Sequence, residues 1–267
     1  MTDKRRLDQL LVERGLFPSR ERAQAAIMAG LVRVGDRPVT KAGQAVSASA
    51  EVQVTGEVHP YVSRGGLKLA RALEAFGVDP AGRVVLDAGA STGGFTDVCL
   101  QRGARLVYAV DVGYGQLAWK LRQDPRVDVR ERQNVRHLKR EDFTERPSLV
   151  VADLSFISLD KVLPALFALL GPEGEAITLV KPQFEVGKGQ TEAGIVRSPE
   201  AHLAVLAQAQ REALNLGWHL VHLTHSPIKG PEGNIEFLAH WQPVAPEQTP
   251  DLEDVVQAAH RSLVSPA

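Results

Sequence analysis

The sequence predicts an α/β protein built on a mostly parallel sheet, preceded by a small α+β domain. From about residue 65 onward, short continuous apolar stretches alternate with stretches of helical periodicity. Strands that are apolar on both faces are typical of a parallel sheet covered by helices on both sides. Residues 1–60 lack this alternation and show two helical stretches followed by short strands. We therefore expect two domains, at residues 1–60 and 61–267.

The small domain is predicted from its periodicity and its turn residues. An apolar helical stripe near the N-terminus ends at Gly15, and Ser19 is placed to cap a second helix. Pro60 forces the preceding residue into an extended conformation, which marks the end of the domain. Short strands are expected at residues 31–34 and 52–54.

The large domain is predicted from four strands, four helices and a final hairpin. Apolar strands are expected at residues 84–86, 106–110, 149–152 and 177–180, with helices at residues 96–102, 114–122 and 159–170. A last helix, at residues 199–216, precedes strands at residues 219–224 and 235–239. No helix separates these two strands, so they should pair antiparallel. The result is a mixed sheet of about seven strands, mostly parallel, with an antiparallel C-terminal hairpin.

The composition excludes several classes of protein. The chain has 267 residues, of which 44% are hydrophobic, and a net charge of −1, which is typical of a globular protein. Its one cysteine, Cys99, excludes an internal disulfide and a cysteine zinc cage, so a reducing, cytoplasmic location is the simplest expectation. The first 14 residues lack the apolar core of a signal peptide. The most apolar run, residues 162–170, is too short to cross a membrane.

Basic residues are concentrated in two parts of the chain. Residues 1–41 hold nine Lys or Arg against five acids, and residues 120–140 hold eight against three. Two basic zones on a neutral chain indicate a polyanion-binding surface that covers part of the molecule. For either zone alone, a solvated helix face is the favoured interpretation.

Five ionisable residues are predicted to meet at one edge of the sheet. Asp87, Asp111 and Asp153 end three of the apolar strands, and Lys181 ends a fourth. Glu236 lies at the start of the last strand, which should run in the opposite direction. In a doubly wound sheet, ligands bind outside the carboxyl ends of the parallel strands. A single acid at a strand end often only caps the next helix, but this explanation is weak for five groups together.

The segment after Asp87 predicts a binding loop for S-adenosylmethionine (SAM). Its glycines allow a tight turn and the close approach of a ligand to the backbone. The segment lacks the Gly-Lys-Ser/Thr ending of a phosphate-binding loop, and Ser91 stands where the dinucleotide fingerprint requires a glycine. Asp111 is placed to bind a ribose. The candidate SAM contacts are Asp87, Gly89, Ser91, Gly93, Gly94, Phe95 and Asp111.

Lys68 stands out because it is expected in the first turn of a helix, where a cation opposes the helix dipole. Together with Asp153, Lys181 and Glu236 it suggests methyl transfer to a ribose 2′-hydroxyl. That hydroxyl is a very weak acid, and a desolvated lysine can take up its proton. Methylation of amines or carbon more often uses an Asn/Asp-Pro-Pro-aromatic motif or a catalytic cysteine, which the segment after Asp153 does not offer.

These residues resemble the TlyA family of bacterial ribosomal RNA 2′-O-methyltransferases, and the resemblance spans nearly the whole chain. The family joins an S4-type RNA-binding domain to an FtsJ-like, Rossmann-like SAM-dependent methyltransferase domain, and some members carry the name haemolysin A. The resemblance is carried by residues 62–69, 87–95, 110–119, 151–159, 180–190 and 226–237. It implies a catalytic Lys-Asp-Lys-Glu tetrad at Lys68, Asp153, Lys181 and Glu236, SAM contacts at residues 87–94 and Asp111, and an adenosine contact at Asn134.

The resemblance also implies ribosomal RNA, or ribosomal subunits, as the partner, with cytidine as the methylated nucleotide. Contacts of this kind are mostly directed by shape and charge. The candidate RNA-binding residues are Arg6, Arg20, Lys41, Arg64 and, in the polar loop 182–196, Lys188. This loop is a candidate lid or RNA clamp. Lys120, Arg122, Arg126 and Arg136 either extend the RNA path or form a solvated face.

Other readings of the sequence remain open at this point. The chain has no segment typical of a pore former, so the haemolysin name fits it poorly. No metal is expected from the three histidines His219, His222 and His225. They are spaced by three residues in a strand, so each lies on the opposite face from the next and they cannot share an ion. The alternatives to a 2′-O-methyltransferase are a methyltransferase acting on another RNA atom or a small molecule, and a non-catalytic SAM-binding factor for RNA binding or ribosome assembly.

Overall fold

A computed structural model of the chain describes residues 3–17, 19–28, 30–55, 59–187 and 191–264. The chain divides into two compact units, Met1–Arg64 and Gly65–Ala267. Each unit has a hydrophobic core of its own. The fold class predicted from the sequence, a mixed α/β sheet preceded by a small α+β unit, is confirmed.

The first unit packs two helices against short strands. Helices α1 (Leu7–Glu13) and α2 (Arg20–Met28) bury their apolar faces together with side chains from the strands. The predicted cap is present, since the backbone N–H of Arg22 donates to Ser19 Oγ at 3.3 Å. The strands are β1 (Lys4–Arg6), β2 (Val32–Val34), β3 (Arg37–Val39), β4 (Ala45–Ser47) and β5 (Val52–Val54). β1 pairs with β4, and β3-β2-β5 form a second small sheet; β1, β3 and β4 were not predicted.

The second unit is organised around a mixed sheet of seven described strands. They are β6 (Val84–Ala88), β7 (Leu106–Val110), β8 (Val127–Arg130), β9 (Leu149–Ala152), β10 (Glu175–Val180), β11 (His219–His225) and β12 (Phe237–Gln242). Their spatial order is β11-β12-β10-β9-β6-β7-β8. β6 to β10 are parallel to their sheet neighbours within this group, whereas β12 is antiparallel to both β10 and β11. The predicted antiparallel hairpin is therefore confirmed.

Helices cover the sheet. They are α3 (Gly65–Phe76), α4 (Gly94–Gln101), α5 (Trp119–Arg122), α6 (Leu163–Leu169), α7 (Pro182–Glu185), α8 (Pro199–Asn215) and α9 (Leu252–Leu263). The parallel strands β6, β7, β9 and β10 are almost fully buried, as their unalternating apolar sequences predict. No helix within the described ranges is long and apolar enough to cross a membrane.

Three predictions for this unit were wrong or incomplete. The helix expected at residues 114–122 is helical only from Trp119, because the preceding residues are held by other loops: Ala118 N–H donates to Thr92 O at 3.1 Å and Gly115 N–H to Glu131 Oε1 at 2.9 Å. β8 was missed because it is half-buried rather than continuously apolar. α9 was also missed, although Asp251 caps it through the N–H groups of its first turn.

The chain order of the strands fixes where a ligand can bind. In the sheet, β6 lies between β7 and β9. The chain runs from β6 to β7 and β8 on one side, and then crosses to β9 on the other side of β6. The strand order therefore reverses between β6 and β9. In open α/β sheets the binding crevice lies outside the carboxyl ends of the strands at such a reversal point.

Candidate active site

Four side chains form a continuous series of alternating charges at this edge of the sheet. Lys68 Nζ lies 2.5 Å from Glu236 Oε2 and 4.0 Å from Asp153 Oδ2. Lys181 Nζ lies 2.5 Å from the other Asp153 oxygen, Oδ1. The order is thus Glu236, Lys68, Asp153, Lys181, and each positive charge is adjacent to a negative one. The four residues of the tetrad expected from the sequence therefore lie together.

The strand register explains how three of these residues reach one place. Asp153 and Lys181 directly follow β9 and β10, which are parallel neighbours. Glu236 directly precedes β12, whose first residue, Phe237, pairs with Val180, the last residue of β10. Because β12 runs antiparallel to β10, its beginning lies at the carboxyl end of the parallel strands. Lys68 comes from α3, which packs against β11 and β12.

The series is more exposed at Asp153 than at Glu236. The side chain of Glu236 is 1% exposed, those of Lys68 and Lys181 are 7% and 9% exposed, and that of Asp153 is 21% exposed. Glu236 Oε1 is buried without a hydrogen-bond partner among the described residues. Isolated buried charges are costly, and pairing offsets much of that cost. Asp153 is therefore the member of the series that is most open to a substrate.

Two residues that follow Asp153 and lie near Lys181 were not identified by the sequence analysis. Ser155 Oγ accepts a hydrogen bond from Lys181 Nζ at 2.9 Å. Phe156 is 87% exposed and has a φ of +62°, in the left-handed region that non-glycine residues rarely adopt. Its ring lies 5.1 Å from that of Phe184, and the Phe184 ring is 6.0 Å from Lys181 Nζ. Their position just past the end of β9 was the available signal. Strained, exposed residues of this kind cluster at functional sites.

The loop after β6 forms a cradle with little room for side chains. Gly89 has a φ of +83°, and a Cβ atom there would lie 2.5 Å from the backbone oxygen of Asp153. Gly93 also has a positive φ, and a Cβ atom there would collide with Leu117 and Leu121. Between them, Ser91 has a φ of +49° and its N–H donates to Asp111 Oδ2 at 2.7 Å. The two glycines therefore bring the loop close to β9 and to the segment after β7.

Two acids, Asp87 and Asp111, face this cradle and differ in how many of their carboxylate oxygens accept hydrogen bonds. Burial raises the pKa of Asp87 to about 7, although a hydrogen bond from Thr96 Oγ1 at 2.6 Å opposes the shift. Asp87 Oδ1 is buried without a hydrogen-bond partner among the described residues. Asp111 accepts the N–H groups of Ser91 and Gly113, both at 2.7 Å. A carboxylate has about four acceptor positions, so Asp111 retains capacity for a ligand hydroxyl.

The remaining predicted SAM contacts differ in their positions. Gly94 begins α4, whereas Phe95, 3% exposed, is packed in the interior. Asn134 Oδ1 accepts the N–H of Arg136 at 3.1 Å and caps a short 3-10 segment, Val135–His137. The next residue back, Gln133, donates its N–H to Asp111 O at 3.0 Å, so Asn134 lies near the acid. The partnerless Asp87 oxygen, the tight glycine turns and the spare acceptors of Asp111 fit a ligand with amine and ribose groups.

The predicted RNA-binding residues lie on both units. Arg6, Arg20, Lys41 and Arg64 are exposed residues of the first unit. Lys188 lies outside the described residues, as do its two following neighbours in the loop predicted as a lid. Residues 182–185 of that loop are helical.

Acids pair with several residues of the second basic zone, residues 120–140. Lys120 pairs with Asp97 at 3.1 Å and Arg126 with Asp124 at 2.7 Å. Arg122 pairs with Glu131 at 2.5 Å. These contacts favour the solvated-face alternative for Lys120, Arg122 and Arg126. Arg136 contacts the side chain of Asn134 at 3.3 Å.

Two of the histidines of β11, His222 and His225, have different hydrogen-bond partners. His222 Nδ1 lies 3.0 Å from His240 Nδ1, and His225 Nδ1 lies 2.9 Å from the backbone oxygen of Ser226. No group of three or more potential metal ligands is found in the described part of the chain.

Comparisons with known proteins classify both parts of the chain. The model of the FtsJ-like methyltransferase family matches residues 61–242, and the S4 domain model matches residues 5–52. The fold and the site thus define a methyltransferase domain preceded by an S4 domain.

Relatives narrow the classification. The chain is 48% identical over 265 residues, 98% of each chain, to the 16S/23S rRNA (cytidine-2′-O)-methyltransferase TlyA of Mycobacterium tuberculosis. It is 41% identical to Hemolysin A of Brachyspira hyodysenteriae, covering 88% of this chain and 99% of that one. A solved structure of a candidate hemolysin from Streptococcus thermophilus has a TM-score of 0.77 and 45% identity, with 98% of both chains covered. The chain belongs to the TlyA family.

Proposed function

We propose that this protein transfers a methyl group from SAM to the ribose 2′-hydroxyl of a cytidine in ribosomal RNA. The observation that carries the proposal is the series Glu236, Lys68, Asp153, Lys181 beside the glycine cradle at the reversal point of the sheet. The name of the Mycobacterium tuberculosis relative supports the same reaction and the same nucleotide.

The cofactor would be held by the loop after β6 and by the two acids beside it. SAM, when bound, supplies a methyl group on a positively charged sulfur atom. Asp87 and the backbone of Gly89 and Gly93 line the cradle, and Asp111 has acceptor capacity for ribose hydroxyls. Asn134 is the candidate contact for the adenosine end.

Lys181 is the group that we assign to the 2′-hydroxyl. As the oxygen–carbon bond forms and the sulfur–carbon bond breaks, the hydroxyl proton must leave, and Lys181 can accept it once its own ammonium proton has passed to the solvent. Lys181 is anchored by Ser155 and by Asp153, the most exposed member of the series. Lys68 and Glu236 lie deeper and position Asp153. Holding the hydroxyl in line with the methyl group supplies much of the rate enhancement.

Phe156 would hold the base of the target nucleotide. Sequence-tolerant stacking of unpaired bases on exposed aromatic rings is common in RNA recognition. Phe156 is exposed beside Lys181 and its backbone is strained, so its ring is held outward at a conformational cost.

The S4 domain would bring the RNA to the site. In this proposal residues 1–60 bind structured ribosomal RNA through Arg6, Arg20 and Lys41, residues 61–267 perform the transfer, and Arg64 and Lys188 add contacts. The substrate is a ribosomal subunit, and the reaction takes place in the cytoplasm.

The test uses SAM that carries a radioactive methyl group, with 16S and 23S rRNA and ribosomal subunits from a strain lacking this gene. The expected product is 2′-O-methylcytidine, recognised by nucleoside analysis and by resistance of the adjacent phosphodiester bond to alkali. Lys181→Ala should reduce transfer by about a thousandfold or more, since it removes a group in contact with the reacting hydroxyl. Lys161→Ala, which removes an exposed lysine of the same unit, is the matched control.

The outcomes separate the alternatives. Label on a base atom would exclude 2′-O-methylation, and label in no RNA, together with SAM and RNA binding, would favour a non-catalytic binding factor. Full activity of Lys181→Ala would contradict the assigned mechanism.

A further inference from the structure

A buried aspartate in the first unit joins two of the predicted RNA-binding arginines. The side chain of Asp8 is fully buried, whereas those of Arg6 and Arg20 are each 49% exposed. Arg6 donates from Nε to Asp8 Oδ1 and from Nη2 to Asp8 Oδ2, both at 3.0 Å. Arg20 Nη2 donates to Asp8 Oδ2 at 3.0 Å, and Gln24 Nε2 donates to the same oxygen at 2.6 Å.

The contacts with Asp8 fix the two arginines relative to each other. Arg6 lies at the end of β1 and Arg20 begins α2, so one carboxylate connects two separate elements. The hydrogen bonds from Arg6, together with those from Gln24 and Arg20, hold the pKa of Asp8 well below its usual range. The group is therefore ionised, and the pairing persists at neutral pH.

The loop that carries Lys41 is attached to the same place. The backbone N–H of Asp8 donates to Ala42 O at 3.2 Å, and that of Leu7 donates to Gln44 O at 2.9 Å. A Cβ atom at Gly43 would lie 3.1 Å from Arg6 Nη2. The loop therefore packs directly against the Arg6 guanidinium.

Each guanidinium keeps N–H donors that the described residues leave without a partner. Asp8 engages Nε and Nη2 of Arg6 and Nη2 of Arg20. Within the part of the chain that the structure describes, Arg6 Nη1 and Arg20 Nε and Nη1 have no hydrogen-bond partner. Two guanidinium groups share one negative charge, so the cluster retains a net positive charge. Guanidinium groups held in this way are well suited to bidentate binding of phosphate.

We propose that Asp8 is a positioning residue that assembles Arg6 and Arg20 into a single preformed site for a phosphate of the RNA backbone. The inference rests on the proposed function, because it specifies how the first unit holds its RNA. Fixing the two side chains before binding reduces the conformational entropy that each long side chain loses when it contacts the phosphate.

The direction in which RNA affinity changes when Asp8 is replaced tests this proposal. Removing an acid from an RNA-binding surface should strengthen binding if the acid acts only through its charge. A positioning role predicts the reverse, since loss of Asp8 frees both arginines. Asp8→Asn removes the charge and keeps the side-chain shape. Glu13→Gln is the matched control, because Glu13 is an exposed acid of the same unit that contacts Arg5 at 3.3 Å.

The experiment measures binding of the full-length protein to 16S and 23S rRNA from the gene-deletion strain as a function of salt concentration. We expect Asp8→Asn to weaken binding about tenfold and to flatten the salt dependence by about one phosphate contact. Glu13→Gln should leave binding unchanged or slightly stronger. In methyl transfer, Asp8→Asn should raise KM for the RNA with little change in kcat and none in SAM affinity.

Circular dichroism shows whether Asp8→Asn is folded. If it is not, a second pair of variants tests the same proposal. Arg20→Lys retains the charge but loses the forked geometry, whereas Arg22→Lys makes the same change at an exposed position two residues along the helix. Arg20→Lys should weaken RNA binding severalfold more than Arg22→Lys. Equal effects of the two lysine variants, or wild-type binding by folded Asp8→Asn, would overturn the inference. Absence of RNA binding by the wild-type protein would instead contradict the proposed function.

Discussion

Lys68 and Glu236 are 168 positions apart in the chain, yet Lys68 Nζ lies 2.5 Å from Glu236 Oε2 in the interior of the second unit. The contact connects α3, which precedes the first strand of the sheet, to the start of β12, its last strand. The contact therefore joins the segment before the sheet to the last strand of the sheet. Both groups are almost fully buried, so neither charge can be relieved by water.

Breaking this pair should cost both stability and activity. Glu236→Gln leaves Lys68 in the interior with only Asp153 nearby, and we expect the free energy of unfolding to fall by about 3–5 kcal/mol. Unfolding in urea can be followed by tryptophan fluorescence, since Trp119, Trp218 and Trp241 all lie in the second unit.

The double variant Lys68→Met/Glu236→Gln provides the control for this prediction. Because it removes both charges, it should be less destabilised than the sum of the two single variants, while methyl transfer stays lost. Additive losses of stability would show that the two residues do not act as a pair.

Gly89→Ala should damage the site through its steric conflict with β9. A Cβ atom at this position would lie 2.5 Å from the backbone oxygen of Asp153, in addition to the cost of the positive φ. Gly103 has nearly the same φ, +82° against +83°, but its nearest contact would be an ordinary 3.6 Å. We expect about 1 kcal/mol of destabilisation for Gly103→Ala and about 3 kcal/mol for Gly89→Ala.

Calorimetry with SAM completes that comparison. Gly89→Ala should lose SAM binding, whereas Gly103→Ala should bind as the wild type does. Similar effects of the two substitutions on both measurements would mean that the approach of Gly89 to Asp153 is not needed.

Two substitutions at Phe156 should separate the role of its ring in activity from the effect of its backbone strain on stability. Phe156→Ala and Phe156→Gly both remove the exposed ring, and both should lower methyl transfer to RNA by about tenfold or more while SAM affinity is unchanged. Only glycine relieves the φ of +62°, so Phe156→Gly should be more stable than Phe156→Ala by about 1 kcal/mol. Undiminished transfer by both variants would contradict a role in holding the base.

Stability should fall as the pH falls from about 6.5 to about 4, in part because of His202. Burial lowers the pKa of this side chain to about 4 from its ordinary value of 6.5. Between these values the unfolded chain binds a proton that the folded chain does not, so the contribution is complete above pH 6.5 and lost as the pH approaches 4. His202 Nδ1 contacts His260 Nε2 at 2.9 Å and joins α8 to α9.

Urea unfolding of the wild type and of His202→Gln between pH 4.5 and 7.5 measures this contribution. The difference in unfolding free energy between the two proteins should shrink as the pH falls. A difference that does not vary with pH would show that His202 contributes nothing through its protonation.

Much of the fold followed from local patterns. Continuous apolar runs predicted the parallel strands, and the absence of a helix between the last two strands predicted their antiparallel pairing. β8 and the segment before Trp119 escaped prediction because their structure depends on neighbours rather than on their own sequence: β8 is a half-buried edge strand, and residues before Trp119 are held by hydrogen bonds to Thr92 and Glu131.

The sequence by itself determined that Asp153, Lys181 and Glu236 lie at one edge of the sheet, because strand ends in a parallel sheet share one edge and each apolar run shows where its strand ends. Only the tertiary structure decided which acid faces which lysine, since these distances depend on how α3 packs on the sheet and on the register of β12 with β10. It also decided that Asp97, Asp124 and Glu131 neutralise basic residues of one zone while Asp8 joins Arg6 to Arg20 in the other. Charge counts along a chain cannot distinguish these cases, because the effect of a charge is set by its distance from its partner and by its exposure to water.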